Sequence, residues 1–237
     1  MRDVSIIPFS ENESIIVAVD NSGAIGMKEY DELKAPYSII SYFAFRTSVM
    51  ECIAAGGHPF SVIIHNLCDD DAWLELVNGV QSGLEELGFG HDVHITGSTE
   101  SNFSLKQSVL GMTVLGKAAA GKNQPKLYMG EQQLAVIGLP LVGKEVMEKQ
   151  EEIAPLSLFY EISRIEGVII IPVGSKGILY ELNQFFSEEI SDQLIQVDVD
   201  VLKSSGPSTC FIVSYPIQQE NVIKTRAQSL FHPIRWI

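Results

Sequence analysis

Apolar residues in this chain come in short bursts of two periods, and the two alternate. Residues 14–20, Ser-Ile-Ile-Val-Ala-Val-Asp, form a β-rich run that predicts a buried strand ending at Asp20. Asn21, Ser22, Gly23 and the residues to Gly26 carry two glycines and predict a turn-rich loop. Residues 28–34 are charged and stop short of Pro36, as expected of a mobile or solvent-facing loop. Residues 38–55 switch to helical spacing, with Tyr42, Phe45, Val49, Cys52 and Ile53 on one side and Gly56-Gly57 as the stop. Residues 60–67 read as a strand. Asp69-Asp70-Asp71 stands at the next helix start, where carboxylates meet the positive end of the dipole. Trp73, Val77, Val80, Leu84 and Leu87 then make an apolar stripe that closes at Gly88. Residues 93–96 and 108–115 read as strands flanking a loop at 97–102.

Residues 117–128 combine a small-residue run with Gly121-Lys122-Asn123-Gln124-Pro125-Lys126 and mark a candidate boundary between domains at 1–120 and 129–237. Beyond it, residues 133–138 predict a strand, and 143–165 a helical stretch split by Pro155. Residues 167–173 predict a strand, Gly174-Ser175-Lys176-Gly177 a turn, and the residues to about Phe186 a helix. Late strands are expected at 194–201 and 210–215. Strands and helices alternate throughout, so the fold class is α/β or α+β.

Composition narrows the function classes. Hydrophobic residues make up 46% and charged residues 19% of 237, as in a folded globular protein with a sizeable core. Lys and Arg number 16 against 30 Asp and Glu, a net charge of -14 that repels phosphate backbones and argues against nucleic-acid binding. Cys52, Cys68 and Cys210 are odd in number and lack metal-ligand spacing, so they are expected reduced and buried. Residues 1–20 contain acids and no long apolar run, and the apolar stretch at 168–172 is too short to span a membrane. A cytoplasmic protein is the expectation.

One phosphate motif is a decoy. Gly116-Lys-Ala-Ala-Ala-Gly-Lys122-Asn123 nearly fits a P-loop, but Asn123 stands where Ser or Thr holds magnesium, and Pro125 follows at once. A solvated linker is the better reading. The acids Asp20, Glu51 and Glu100 stand near predicted element ends. Carboxylates so placed can converge on one Mg²⁺ that holds phosphate oxygens, although each taken alone reads as an ordinary surface acid. His91 and His94 read as surface residues and His58 as part of a turn. His65, beside Asn66 at a strand end, is the better site candidate. Arg46 suits either a phosphate or a salt bridge at a dimer seam. Trp73 reads as core.

The order and spacing of three motifs resemble the N-terminal half of the aminoimidazole ribonucleotide synthetase (PurM-like) superfamily, which includes thiamine monophosphate kinase, selenophosphate synthetase and an ATP-consuming hydrogenase maturation factor. The motifs are Val17-Ala-Val-Asp20-Asn-Ser-Gly23, Glu51-Cys-Ile-Ala-Ala-Gly56-Gly-His-Pro59 and Thr96-Gly97-Ser98-Thr99-Glu100. The likeness covers about residues 14–117 and is looser over 130–216, where Ser175-Lys-Gly-Ile and Ser204-Ser-Gly-Pro-Ser-Thr209 resemble family segments. It implies a two-domain protein with a shortened C-terminal half. The N-domain sheet would close a barrel across a homodimer, and ATP would bind between that sheet and the C-domain. It further implies Mg²⁺ held by Asp20, Glu51 and Glu100, with backbone amides of Asn21, Ser22, Gly23, Gly97, Ser98 and Thr99 around the phosphates. Ser98 stands where the family has an acid, so either Glu100 substitutes or one metal is missing. Lys176 likewise replaces an Asp. The Gly-Ser-Thr-Glu loop is most similar to alpha-ribazole kinases of cobamide salvage, which phosphorylate a riboside 5′-hydroxyl. The alternatives are a thiamine monophosphate kinase-like enzyme and a non-catalytic ATP-binding protein of this fold. The candidate loops contain no Lys or Arg, which favours a neutral acceptor over a phosphate ester.

Overall fold

A computed structural model describes residues 4–90, 92–121, 127, 130 and 132–237. The chain divides into two compact units, Met1–Lys122 and Asn123–Ile237. In the first, β1 (Val4–Pro8) and β2 (Glu13–Gly23) form an antiparallel hairpin, and the short β3 (Ile25–Gly26) and β4 (Leu33–Lys34) pair in parallel. Then come α1 (Tyr37–Ala54), β5 (His58–Asn66), α2 (Trp73–Glu86), β6 (His94–Thr99) and β7 (Val109–Ala119). The five long strands lie in the order β1-β2-β7-β5-β6. Only β5 and β6 are parallel neighbours, so β2, β5 and β6 run one way and β7 runs against them.

Alternation along the strands builds the core. Ile16, Ala18, Val62, Ile64, Leu110, Met112 and Val114 are almost wholly buried on the face that α1 covers. The larger of these side chains each contribute about 1.5–3 kcal/mol of transfer free energy. The opposite face carries Ile15, Val17, Ile63 and Leu115, half-buried, with Val19 exposed. Pro36 opens α1, and Gly56, with φ +84, closes it by donating to the Ile53 carbonyl. α2 ends in the same manner at Gly88, φ +73, with the Phe89 amide on the Leu84 carbonyl. The two helices cross closely at Gly79, where a Cβ would run into the Ser38 carbonyl, and Ser41 Oγ donates to the Leu76 carbonyl. Trp73 and Val77, at the start of the predicted stripe, are only half-buried, and Leu76, Gly79 and Gly83 share its buried side.

In the second unit the elements are β8 (Gln133–Ile137), α3 (Glu145–Glu148), α4 (Leu156–Ser163), β9 (Ile169–Pro172), α5 (Gly177–Phe185), β10 (Ile195–Gln196), β11 (Phe211–Tyr215), α6 (Glu220–Ala227) and β12 (Phe231–Trp236). Its sheet is antiparallel in the order β10-β12-β8-β11-β9. Leu134, Val136, Ile171, Ile212 and Ile234 pack one face against Ile178, Leu182 and Phe185 of α5. Phe211 points to the other face, where it meets Phe159 of α4 edge-on at 5.0 Å.

Several expectations change. Asn21, Ser22 and Gly23 are not a loop: they continue β2 and pair with Gly111, Leu110 and Val109. Gly97, Ser98 and Thr99 likewise belong to β6, pairing with Ile64, His65 and Asn66. The charged stretch 28–34 is tied down rather than mobile, as described below. The strand expected at 194–201 is two residues long, Ile195–Gln196, and further on the Asp200 carboxylate accepts the Leu202 and Lys203 amides and turns the chain. β1, α6 and β12 lie outside every predicted element.

Candidate functional site at one end of the first sheet

Because β2, β5 and β6 run together, their C-terminal ends and the start of β7 lie at one end of the sheet. Two rungs there carry Asn21, Ser22, Ser98 and Thr99 of the predicted site residues. Asn21, Gly111, His65 and Ser98 form one rung, and Ser22, Leu110, Asn66 and Thr99 the next. Alternation puts Asp20, Ser22, Gly97 and Thr99 on the α1 side and Asn21, His65 and Ser98 on the open side. β6 is the sheet edge, so its alternate amides face away from β5. Gly97 is required by space rather than by flexibility: a Cβ there would strike the Ile64 carbonyl.

Asn66 organises this end. It is 1% exposed. Its Nδ2 donates to the Asp69 carbonyl at 2.9 Å and to Thr99 Oγ1 at 3.1 Å, while its Oδ1 accepts the Cys68 amide at 2.8 Å. Its backbone carbonyl accepts the Glu100 amide at 2.8 Å. The turn so formed holds Asp69 at φ +82, an unusual conformation for a residue with a side chain.

The segment between β3 and α1 forms a strap over the same end. Lys28 Nζ donates to the Leu67 carbonyl at 3.3 Å, the Leu105 carbonyl at 3.1 Å and Asp69 Oδ1 at 3.1 Å, filling its three donor positions. Asp31 is buried and accepts the Ser108 amide at 2.6 Å, the Ser108 hydroxyl at 2.7 Å and the Lys28 amide at 2.8 Å. Burial pushes its carboxyl pKa up, but the Ser108 and Lys28 hydrogen bonds outweigh that, and the net direction is down. Tyr37 at the start of α1 reaches Ser108 Oγ at 3.2 Å. Sequence reasoning missed Lys28, Asp31, Ser108 and Asn66 as a network. The only local signal was Asp and Ser near predicted strand ends.

The predicted carboxylates are not brought together. Asp20 lies on β2 and Glu100 just past the end of β6, strands three spacings or roughly 14 Å apart. Glu51 follows Tyr37 by fourteen residues, roughly 21 Å along α1. It adjoins Cys52, which packs against Ile16, Gly57 and Gly116 at the other end of the sheet. The Glu100 carboxylate accepts the amides of Asn102 at 2.7 Å and Phe103 at 3.3 Å, shaping its own loop. Among the described residues, no three His, Cys, Asp or Glu side chains gather as a metal group. A single cage of Asp20, Glu51 and Glu100 around magnesium does not fit this chain.

Other candidates are placed as follows. Arg46 is fully buried; it and Glu86 both act on Tyr42, whose hydroxyl donates to Glu86 at 2.7 Å, so Arg46 serves the helix interior and reaches neither phosphate nor seam. Burial is the main reason the Tyr42 pKa rises to about 12. His65 is exposed on the open face, His58 stacks edge-on to Phe89, and His94 is exposed at the start of β6. His91, Lys122 and Asn123 lie outside the described residues. The three cysteines are free thiols and buried, and burial pushes Cys52 up to about 12. No helix among the described residues is long and apolar enough to cross a membrane. In the second unit, Lys203 pairs with Glu145 at 2.8 Å, and Lys176 lies over the Tyr180 ring at 4.3 Å. Buried Thr209 Oγ1 accepts the Leu141 amide and donates to the Leu139 carbonyl.

No protein-family model and no curated protein sequence matches the chain. Solved structures do. PurL of T. maritima complexed with ATP is 14% identical with a TM-score of 0.58; the match covers 99% of this chain and 42% of PurL. This chain thus spans well under half of PurL. Thiamine-monophosphate kinase from Stenotrophomonas maltophilia K279a is 13% identical over 94% of this chain and 82% of its own, TM-score 0.58. A chain of the HypE-HypF complex is 13% identical over 99% and 87%, TM-score 0.58. The protein described here has the mixed α/β, PurM-like fold that these solved structures share.

Proposed function

We propose that this protein is an ATP-dependent small-molecule kinase that phosphorylates the 5′-hydroxyl of a neutral riboside, with alpha-ribazole as the best candidate. The observation that carries the reading is the chemistry of the sheet end. Asn21, Ser22, His65, Ser98 and Thr99 offer hydroxyl, amide and imidazole groups. Of the cations nearby, Lys28 is engaged with Leu67, Leu105 and Asp69 and Arg46 is buried within the helix pair, and Lys106 is exposed on the loop. Such a site suits hydroxyl recognition better than a second phosphate ester. ATP as phosphoryl donor is supported by the fold shared with the ATP complex of PurL and with a thiamine-monophosphate kinase.

ATP would enter as its magnesium complex. Magnesium commonly keeps several waters and needs only one or two carboxylates besides the phosphates, and Asp20 is the acid we assign to it. Outward-facing amides of β6 and the hydroxyl of Thr99, on the same face of the sheet as Asp20, would position the phosphate chain. Catalysis would then rest on orientation and charge neutralisation. A second copy of the chain would cover the open sheet face, whose half-buried Ile15, Val17, Ile63 and Leu115 form an apolar strip.

The test is incubation with ATP, Mg²⁺ and either alpha-ribazole or thiamine monophosphate, following ADP release and product mass. Phosphorylated riboside is expected. Turnover of thiamine monophosphate alone would replace this reading with the thiamine monophosphate kinase-like one. ATP binding without any turnover would favour a non-catalytic protein.

A further inference from the structure

We propose that Phe103 and Tyr30 form a stacking site for a planar heteroaromatic base carried on a ribose. Phe103 is 76% exposed and Tyr30 is 56% exposed, with Met27 beside it in sequence at 61%. Both aromatic residues stand on loops that hydrogen bonds hold. Glu100 fixes the Phe103 turn by accepting the Asn102 and Phe103 amides. Tyr30 is stitched to the same loop: its amide donates to the Lys106 carbonyl at 3.3 Å, and its carbonyl accepts Gln107 Nε2 at 2.8 Å. Lys28, two residues before Tyr30, bonds the Leu105 carbonyl, two residues after Phe103. The two loops are therefore one piece, presented where Thr99 and Asn66 end their strands.

The size of the patch argues for a small ligand. Two aromatic side chains bury at most about 150–250 Å² each. A stable protein interface needs roughly 800 Å² per partner. A single ring system matches what is there, and base–aromatic stacking is tolerant of ring identity. Adenine of the nucleotide and the base of the acceptor share this chemistry. The inference rests on the reading of this sheet end as the nucleotide or riboside site.

Calorimetry on the full chain distinguishes the sources. The probes are a non-hydrolysable ATP analogue against tripolyphosphate, and a benzimidazole riboside against ribose. Phe103→Ala is expected to weaken one base-bearing ligand about tenfold or more, with Tyr30→Ala weakening it less and Phe103→Trp restoring it. Ligands without a base should be unaffected, and the arm that moves identifies the ring. A change below about twofold for both base-bearing ligands would overturn the proposal. So would a fall in oligomer mass on Phe103→Ala with affinities unchanged, which would make the patch a protein interface. If wild type binds neither base-bearing ligand, the stacking site and the kinase reading fall together. If it binds a nucleoside through Phe103 but transfers no phosphate, only the kinase reading falls.

Discussion

The two ends of the first sheet are held together by opposite means. At one end Lys28, Asp31, Asn66, Thr99 and Ser108 exchange directional hydrogen bonds, several of them between residues 33 to 77 positions apart. At the other end two glycines close around a thiol. A Cβ on Gly57 would lie 2.8 Å from Cys52 Sγ, and one on Gly116 would collide with it. The second end is specified by volume and tolerates no added atom. The first is specified by partners, and beside that network Asn21, His65 and Ser98 stand exposed on the neighbouring rung. Binding chemistry is expected at the partner-built end for that reason.

The largest expected effect breaks the volume-built end. Gly116→Val should cost up to about 3 kcal/mol, because overpacking a filled interior forces backbone shifts. Urea unfolding measures it, and a midpoint within error of wild type would show that this end is loosely packed after all. Asn66→Ala should cost about 1–3 kcal/mol by leaving the Cys68 amide without its partner. Unlike the glycine change, it should also weaken ATP binding, since Thr99 and the Glu100 loop lose their anchor. Equal nucleotide affinity in the variant would separate Asn66 from the site.

A smaller effect appears with pH. Asp31 has a lowered carboxyl pKa in the folded state, so its contribution is present above the unfolded pKa and fades as pH falls through the folded one. Stability should therefore decline below about pH 4, and Asp31→Asn should flatten that part of the profile while lowering the plateau. An unchanged acid limb in the variant would remove Asp31 from the strap.

Much of this contrast was legible in the chain. Periodicity gave α1, α2 and the strands around Val17, Ile63 and Val114, because one apolar face in each is buried against a neighbour. The motif order around Asp20, Gly56 and Gly97 pointed to the superfamily fold. What local reading could not supply was long-range pairing. Lys28 and Asp31 looked like solvated charges because their partners Leu67, Leu105 and Ser108 are remote in sequence. Asn-Ser-Gly and Gly-Ser-Thr looked like loops by composition, yet ladder partners on β7 and β5 make them strands. Gly97 is there because the neighbouring backbone leaves no room for a side chain. The carboxylates read as one set because motif order says nothing about distance, and α1 carries Glu51 to the far end.

Glu51 gives the sharpest and smallest test of the comparison. Its motif position suggests a metal ligand, but its neighbour Cys52 sits among Ile16, Gly57 and Gly116. If the two ends have separate roles, Glu51→Gln should leave ATP turnover within about twofold of wild type. Its unfolding free energy should move by less than about 0.5 kcal/mol, as for a half-exposed residue outside the core. Asp20→Asn, on the rung beside Asn21, should reduce turnover by orders of magnitude at nearly unchanged melting temperature. The pair must be assayed side by side at saturating ATP and riboside. Equal large losses in both would mean that the volume-built end reaches the reacting phosphate, through a second copy of the chain or a closed state, and the division of labour drawn here would be wrong.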